Sequence, residues 1–324
     1  MSRNLYLGVD GGGGTTECLI ADENGMILGR GLAGGSNIYS SGEENTARAL
    51  KDVMLSAGVT MDDNVESACF GLSGVIQGLE NVAINNIVKT LLPDTDKIQV
   101  VCDAITTLTG SIGPGAGICI NAGTGAICAG RGIQGEIAIS SGWGHLLGDE
   151  GSGYWIGSQG LIAALRSFDG REKETILLDK LLGALGTTSP QAASQIVHQS
   201  DNPRVIFSDL CPIVLECAQN GDPVAKDIVS RAGHELALAV WSVAGSLSLL
   251  DRDVDVAPVG NCLLKSELLQ ENFKAATTSL IPMANIVMPK YSPVVGGVLM
   301  AMMADGIDTS TLNMDQYSRL ISKG

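Results

Sequence analysis

The chain has 324 residues, 45% of them hydrophobic and 17% charged, with a formal net charge of -15. That length allows two lobes with separate cores, and the acidic balance excludes nucleic acid and anionic membrane as natural partners because both would be repelled. A phosphate-binding site in such a chain has to be assembled from backbone N–H groups, hydroxyls and a cation.

Leu5, Leu7 and Val9 alternate along a first run that ends in Asp10. Gly11, Gly12, Gly13 and Gly14 then lead into Thr15, Thr16 and a second apolar run through Ile20, which predicts strand, tight turn, strand. Glycines allow positive φ and let an anion approach the backbone, hydroxyls add donors, and an acid at a strand end can hold a hydrated metal. This is the chemistry of a nucleotide phosphate loop, with a ligand-free glycine hairpin as the alternative. No Gly-Lys-Ser/Thr follows, so the loop is not a Walker A, and a strand follows in place of the helix of a dinucleotide fold.

Met26 to Ala33 predicts a third strand, broken by Gly34-Gly35-Ser36-Asn37. Ala47, Leu50, Val53 and Met54 predict a helix over Glu43 to Ala57. A strand over Ala68 to Leu72, a helix over Leu79 to Leu92 and a strand over Ile98 to Cys102, closing on Asp103, complete an α/β half-module that ends near Pro114. The second half opens alike, with strands at Ala116 to Asn121 and Ala126 to Gly130 around Gly123-Thr124-Gly125, which suggests an internal duplication. A glycine-rich stretch from Ile137 to Glu150 precedes helices at Tyr154 to Phe168, Glu172 to Leu182, Ala192 to His198, Val205 to Ala218 and Pro223 to Leu250. Strands at Val254 to Val259 and Ala284 to Met288, with helices at Lys265 to Ala275 and Val294 to Ala304, finish the chain. The fold class expected is α/β, with lobes at 1–114 and 115–324 and a helical insertion at about 151–250.

The eight cysteines lie mostly in apolar runs and form no CxxC pair, which points to buried free thiols in a reducing compartment. The N-terminus passes straight into a strand, with neither a signal-peptide pattern nor a membrane-length run, so the expectation is cytoplasmic.

Asp103, at a strand end, suits a general base that accepts the proton of an attacking hydroxyl, or alternatively the cap of the helix that follows. Asp10 sits where a metal would be held. Asp149 and Glu150 suit paired hydrogen bonds to neighbouring sugar hydroxyls, or else form the acidic first turn of the next helix. Asn37 can donate to and accept from a polyol or serve its own turn. Tyr39 and Trp143 offer flat apolar faces, and Gly142 and Gly144 leave the Trp143 ring accessible. Gly260, between strand and helix, lets a base or ribose near the backbone.

The strings VDGGGGTTE, GGSNIYSSG, FGLSG, VCDA, NAGTGA, SGWGHLLGDEGSGYWIG, VGNCLLKSELL and SPVVGGVLMA run in order over residues 9–302. In them the chain resembles the N-acetylglucosamine and glucosamine kinases of the BadF/BadG/BcrA/BcrD ATPase type, within the sugar kinase, heat-shock ATPase and actin superfamily. The resemblance implies two ribonuclease-H-like lobes (an actin-like ATPase fold) about a cleft, ATP with Mg2+, and γ-phosphoryl transfer to the 6-hydroxyl of an amino sugar. It implies Asp103 as base and Asp10 as the acid that holds magnesium through water. Gly12, Gly13, Gly14, Thr15 and Thr16 would form the first phosphate loop, and Gly123, Thr124 and Gly125 the second, with Gly260 near the adenosine. Asn37, Tyr39, Asp103, Gly142, Trp143, Gly144, Asp149 and Glu150 would line the sugar, and a homodimer is expected. Three positions depart from the family: Gly14 stands where a threonine is usual, Ala126-Ile127 replaces Ser-Asn of the animal enzymes, and Tyr39 replaces a tryptophan. An ATPase activator of a 2-hydroxyacyl-CoA dehydratase, with a cysteine-held iron–sulfur cluster, and a non-catalytic sugar sensor are the other readings.

Overall fold

The computed structural model describes residues 4–60, 63–76, 78–79 and 81–312. The chain opens with an antiparallel meander, β1 (Leu5–Gly11), β2 (Thr15–Asp22) and β3 (Ile27–Gly34). It continues through α1 (Ile38–Ser41), α2 (Glu43–Ala57), β4 (Val65–Leu72), α3 (Val82–Leu91), β5 (Lys97–Cys102) and α4 (Asp103–Ile112). β4 adds parallel to β1 and β5 parallel to β4, giving the order β3-β2-β1-β4-β5.

A second meander follows, β6 (Gly117–Ala122), β7 (Ala126–Arg131) and β8 (Ile137–Ser141). Five helices come next: α5 (Gly153–Phe168), α6 (Leu177–Ala184), α7 (Pro190–Gln199), α8 (Pro203–Gln219) and α9 (Pro223–Ser246). Then come β9 (Val254–Val259), α10 (Asn261–Leu264), α11 (Glu267–Leu280) and β10 (Ala284–Ile286), and the second sheet runs β8-β7-β6-β9-β10. Taken by position in its half, each sheet has the same strand order, so the duplication suggested by the two glycine and threonine hairpins extends to whole topology. β8, α1 and α10 went unseen in the sequence, because each is short and rich in glycine or polar residues.

The last helix, α12 (Pro293–Ala304), returns to the first sheet. The chain accordingly divides into a first unit, Met1–Gly115 with Met288–Gly324, and a second, Ala116–Val287. The expected second lobe of 115–324 therefore keeps only its part up to Val287. The reason lies in β1, whose side chains alternate between two covered faces. Leu5, Leu7 and Val9 pack with Leu50, Val53, Ile84 and Val88 of α2 and α3, and Tyr6 packs on the other face with Val294 and Val298 of α12. At Gly8 a Cβ would stand 2.3 Å from the Val298 nitrogen, and at Gly296 a Cβ would stand 2.0 Å from the Thr106 carbonyl of α4. Only hydrogen at those positions lets α12 lie directly on β1 and α4.

The second unit has its own core, in which Ile118 and Ile120 of β6 meet Ile156 of α5, Val214 of α8 and Val240 of α9. All eight cysteines are buried free thiols. Among the described residues no helix is long and apolar enough to cross a membrane.

Asp222 shows how this helical layer is pinned. It caps α9, accepting from the Val224 and Ala225 N–H groups at 3.0 and 2.9 Å. Its other oxygen accepts from the Thr175 hydroxyl at 2.9 Å and the Ile176 N–H at 3.0 Å, just before α6. Burial opposes the charge, but these four bonds win and hold the carboxyl below its usual range. The stability it contributes is therefore full at neutral pH and is lost as pH falls through its lowered folded pKa. Asp222→Ala is expected to cost about 2–4 kcal/mol by urea denaturation at pH 7, and less in acid.

Candidate functional site

In the first unit the predicted residues gather at the carboxyl ends of β1, β4 and β5, the edge at which open α/β sheets present ligand sites. Asp10 pairs in register with Gly71 of β4, and Gly71 with Val101 of β5, two residues before Asp103. With strands about 4.8 Å apart, the two acids stand over one stretch of sheet. Burial raises the Asp10 pKa to about 8, with the Asp103 carboxylate adding to the shift and Glu17 contributing after it. Burial also raises Asp103, against the Cys102 thiol, which donates to its Oδ1 at 3.3 Å, and the Ala104 N–H. Asp103 is the first residue of α4, whose N-cap is Cys102 and which has no side-chain cap hydrogen bond, so the capping alternative does not hold. Carboxylate oxygens are the donors that Mg2+ takes while keeping most of its waters, and a cation held by Asp10 would displace the proton that burial otherwise keeps there.

The first glycine loop is a hairpin tip: Gly11 pairs with Thr16, and the Gly12 N–H donates to the Thr15 carbonyl at 2.8 Å. None of Gly11 to Gly14 has positive φ, so the run is not there for left-handed backbone. Its use is access. A Cβ at Gly13 or Gly14 would meet nothing within 4 Å, whereas one at Gly35 would strike the Gly13 carbonyl oxygen at 2.2 Å. Gly35 thus carries the tip from beneath. The two threonines part company: Thr15 is exposed, while Thr16 is fully buried. The Thr16 hydroxyl donates to the Gly34 carbonyl at 2.7 Å and lies 2.9 Å from the Ser36 hydroxyl, so it braces the loop and does not face a ligand. The Ser36 and Ser73 N–H groups donate to the carbonyls of Gly12 and Gly11 at 3.0 and 2.8 Å, tying both neighbouring turns to the loop.

Asn37 uses its oxygen on its own turn, capping α1 through the Tyr39 and Ser40 N–H groups at 3.0 and 3.2 Å. Its amide nitrogen donates to the Ser73 hydroxyl at 3.2 Å. Tyr39 beside it is 72% exposed.

In the second unit, Gly123, Thr124 and Gly125 form the tip between β6 and β7, where Gly123 N–H donates to the Gly125 carbonyl at 3.0 Å. The start of α5 holds this tip, because the Gly153 and Tyr154 N–H groups donate to the Gly123 and Thr124 carbonyls at 2.8 and 3.2 Å. Helix N–H groups that would otherwise await an anion are thereby spent on positioning the loop. Gly260, at φ 91, packs under the end of β6, where a Cβ would stand 2.4 Å from the Ala122 carbonyl oxygen.

The segment after β8 is backbone-strained: Ser141 and Asp149 both have φ 63, and Gly142, Gly144 and Gly151 are also left-handed. Gly142, Trp143 and Glu150 are exposed, Trp143 by 75%, whereas Asp149 is only 3% exposed. Asp149 Oδ1 accepts the Ala126 N–H at 3.3 Å, and Arg204 Nη2 lies 3.6 Å from Oδ2. Asp149 and Glu150 therefore do different things, the first buried and aimed inward, the second in solvent. The sequence reading missed Ser36, Ser73 and Arg204. The first two lie inside strings already singled out, and nothing local marks Arg204.

Two α/β units of one strand order, with glycine hairpins at their sheet ends, define an ATPase of the actin-like fold. The chain belongs to the BadF/BadG/BcrA/BcrD ATPase family, whose model matches residues 7–301. It is 32% identical over 298 residues to an N-acetylmuramic acid/N-acetylglucosamine kinase of Clostridium acetobutylicum, covering 91% of this chain and 97% of that one. It is 30% identical over 318 residues to an N-acetyl-D-glucosamine kinase of Dictyostelium discoideum, covering 93% and 99%. Among solved structures, a Chromobacterium violaceum protein described as an N-acetylglucosamine kinase superposes with a TM-score of 0.70 at 24% identity, covering 93% of this chain and all of that one. The ROK family glucokinase of Streptomyces griseus gives 0.59 at 18%, covering 94% and 100%.

Gly35→Ala is expected to lower the unfolding free energy by about 1–3 kcal/mol. Gly13→Ala should stay within about 0.5 kcal/mol of wild type in the same urea titrations. Because folded Asp10 keeps its proton to about pH 8 and its ordinary value is 3.8, the native state binds a proton that the unfolded chain lacks across that window, and stability falls as pH rises through it. In chelator-treated protein, Asp10→Asn should flatten the drop in unfolding midpoint between about pH 5 and about pH 9.

Proposed function

We propose that this protein is an ATP-dependent kinase that transfers the γ-phosphoryl group to the 6-hydroxyl of an amino sugar of the N-acetylglucosamine type. The observation that carries the reading is that Asp10 and Asp103 stand at the carboxyl ends of β1 and β5, on either side of β4, both raised by burial, with the Asp103 charge adding to the shift of Asp10. The family, and two relatives of 30% and 32% identity over most of the chain that are named as kinases of N-acetylated amino sugars, support the same class.

Asp103 is the general base. Its carboxylate accepts the proton of the 6-hydroxyl as that oxygen attacks the γ-phosphorus, and the bond to the ADP oxygen breaks. A pKa raised by burial makes it a better proton acceptor near neutrality than an exposed aspartate. Asp10 would hold Mg2+ through water, and the cation would supply charge neutralisation on the phosphates. The tips at Gly12 to Thr15 and Gly123 to Gly125 are assigned to the phosphates, and Gly260 to the adenosine. Asn37, Tyr39, Gly142, Trp143, Gly144, Asp149 and Glu150 serve the sugar. The protein works in the cytoplasm as a homodimer.

Asp103→Asn should lower kcat at least about a thousandfold in a coupled ADP-release assay while ATP affinity by calorimetry changes less than about threefold. Near-normal turnover of that variant would remove the base assignment.

A further inference from the structure

Arg204 is the second residue of α8. A cation there faces the positive end of its own helix, which disfavours it. What faces it is Asp149, with Arg204 Nη2 3.6 Å from Asp149 Oδ2. Both atoms hang over Gly125, where a Cβ would meet Nη2 at 2.8 Å and Oδ2 at 2.9 Å. Asp149 Oδ2 and Arg204 Nε are buried with no hydrogen-bond partner among the described residues. One anionic acceptor and one cationic donor thus stand side by side with open valences at the tip of the second loop.

The same face of α8 reaches that loop again. Ser208, one turn on, lies with its hydroxyl 3.4 Å from the Thr124 hydroxyl. Phe207 meets the Tyr154 ring edge-on at 5.6 Å, and Tyr154 donates its N–H to the Thr124 carbonyl. The other charged groups that face Asp149 belong to its own segment: His145 favours its charge and Glu150 opposes it. From β7 only the Ala126 N–H reaches it.

We propose that Arg204 is the positioning residue of the sugar subsite, resting on the kinase reading above: it keeps Asp149 ionised and aimed so that Oδ2 accepts from a sugar hydroxyl. Burial drives Asp149 toward its protonated form, and the Ala126 N–H first and the Arg204 guanidinium after it counter that drive. Without the guanidinium the pKa of Asp149 rises further, its ionised fraction at a given acid pH falls, and the acid limb of kcat/KM for the sugar moves to higher pH.

The test is steady-state kinetics of full-length wild type, Arg204→Gln, Arg204→Met, Arg204→Lys, Asp149→Asn and the Asp149→Asn/Arg204→Gln double variant, with N-acetylglucosamine and magnesium ATP from about pH 5 to about pH 9. Gln and Met are expected to raise KM for the sugar at least about tenfold, to leave KM for ATP within about twofold, and to move the acid limb upward. Lysine, which retains the charge, should restore most of the limb, and the glutamine should add little to Asp149→Asn. Methionine keeps the aliphatic stem and decides the matter should the glutamine variant lose its native circular dichroism. Unchanged sugar KM and acid limb in these variants overturn the role of Arg204, as does an equal rise in both KM values that lysine does not rescue. A wild type that turns over no amino sugar overturns the kinase reading and this proposal together.

Discussion

The first unit depends on a contact made without side chains. β1 and α12 touch through Gly8, and α12 and α4 touch through Gly296, at distances that a single methyl group would abolish. Asp10 follows Gly8 by two residues on β1, and Asp103 begins the helix whose Thr106 carbonyl meets Gly296. The close packing that brings the end of the chain back onto the first sheet is therefore the same packing that fixes both carboxylates. Close-packed interiors have low compressibility and transmit strain. A buried carboxyl near a second acid has to be held by such a frame, because burial and the Asp103 charge both disfavour ionisation of Asp10.

The two sheets repeat one strand order and use their hairpin tips differently. In the first unit the tip is carried by backbone beneath it, Gly35 against Gly13, and by the buried hydroxyls of Thr16 and Ser36. In the second the tip is carried by a helix start, whose N–H groups are consumed by the Gly123 and Thr124 carbonyls. Both arrangements leave the outer surface of the tip open and satisfy its inner polar groups, as a loop that receives a large anion requires. In a chain of net charge -15, open backbone donors are the natural means of meeting phosphate.

Strain and buried charge coincide at Asp149. The residue is left-handed, almost fully buried and faced by an arginine set at the unfavourable end of its helix. Each of these costs stability by itself. The two side chains meet over Gly125, where a Cβ would stand 2.8 Å from Arg204 Nη2 and 2.9 Å from Asp149 Oδ2.

The sequence by itself determined the elements whose signal is local. Strand alternation around Asp10, helical spacing in α2 and turns at Gly123 to Gly125 all follow from residues a few positions apart, and so did the α/β class. It also singled out Asp10 and Asp103, each at the end of an apolar strand run, and Asp149, set among glycines. Only tertiary structure decided which threonine of the first loop faces outward, since Thr15 and Thr16 are equivalent in the sequence and strand register alone turns Thr16 inward. Only tertiary structure gave α12 to the first unit, because complementarity between Gly8 and Gly296 is invisible until the two lie in contact. And Arg204 meets Asp149 through the packing of α8, a relation between distant residues that no local pattern of charge or hydropathy encodes.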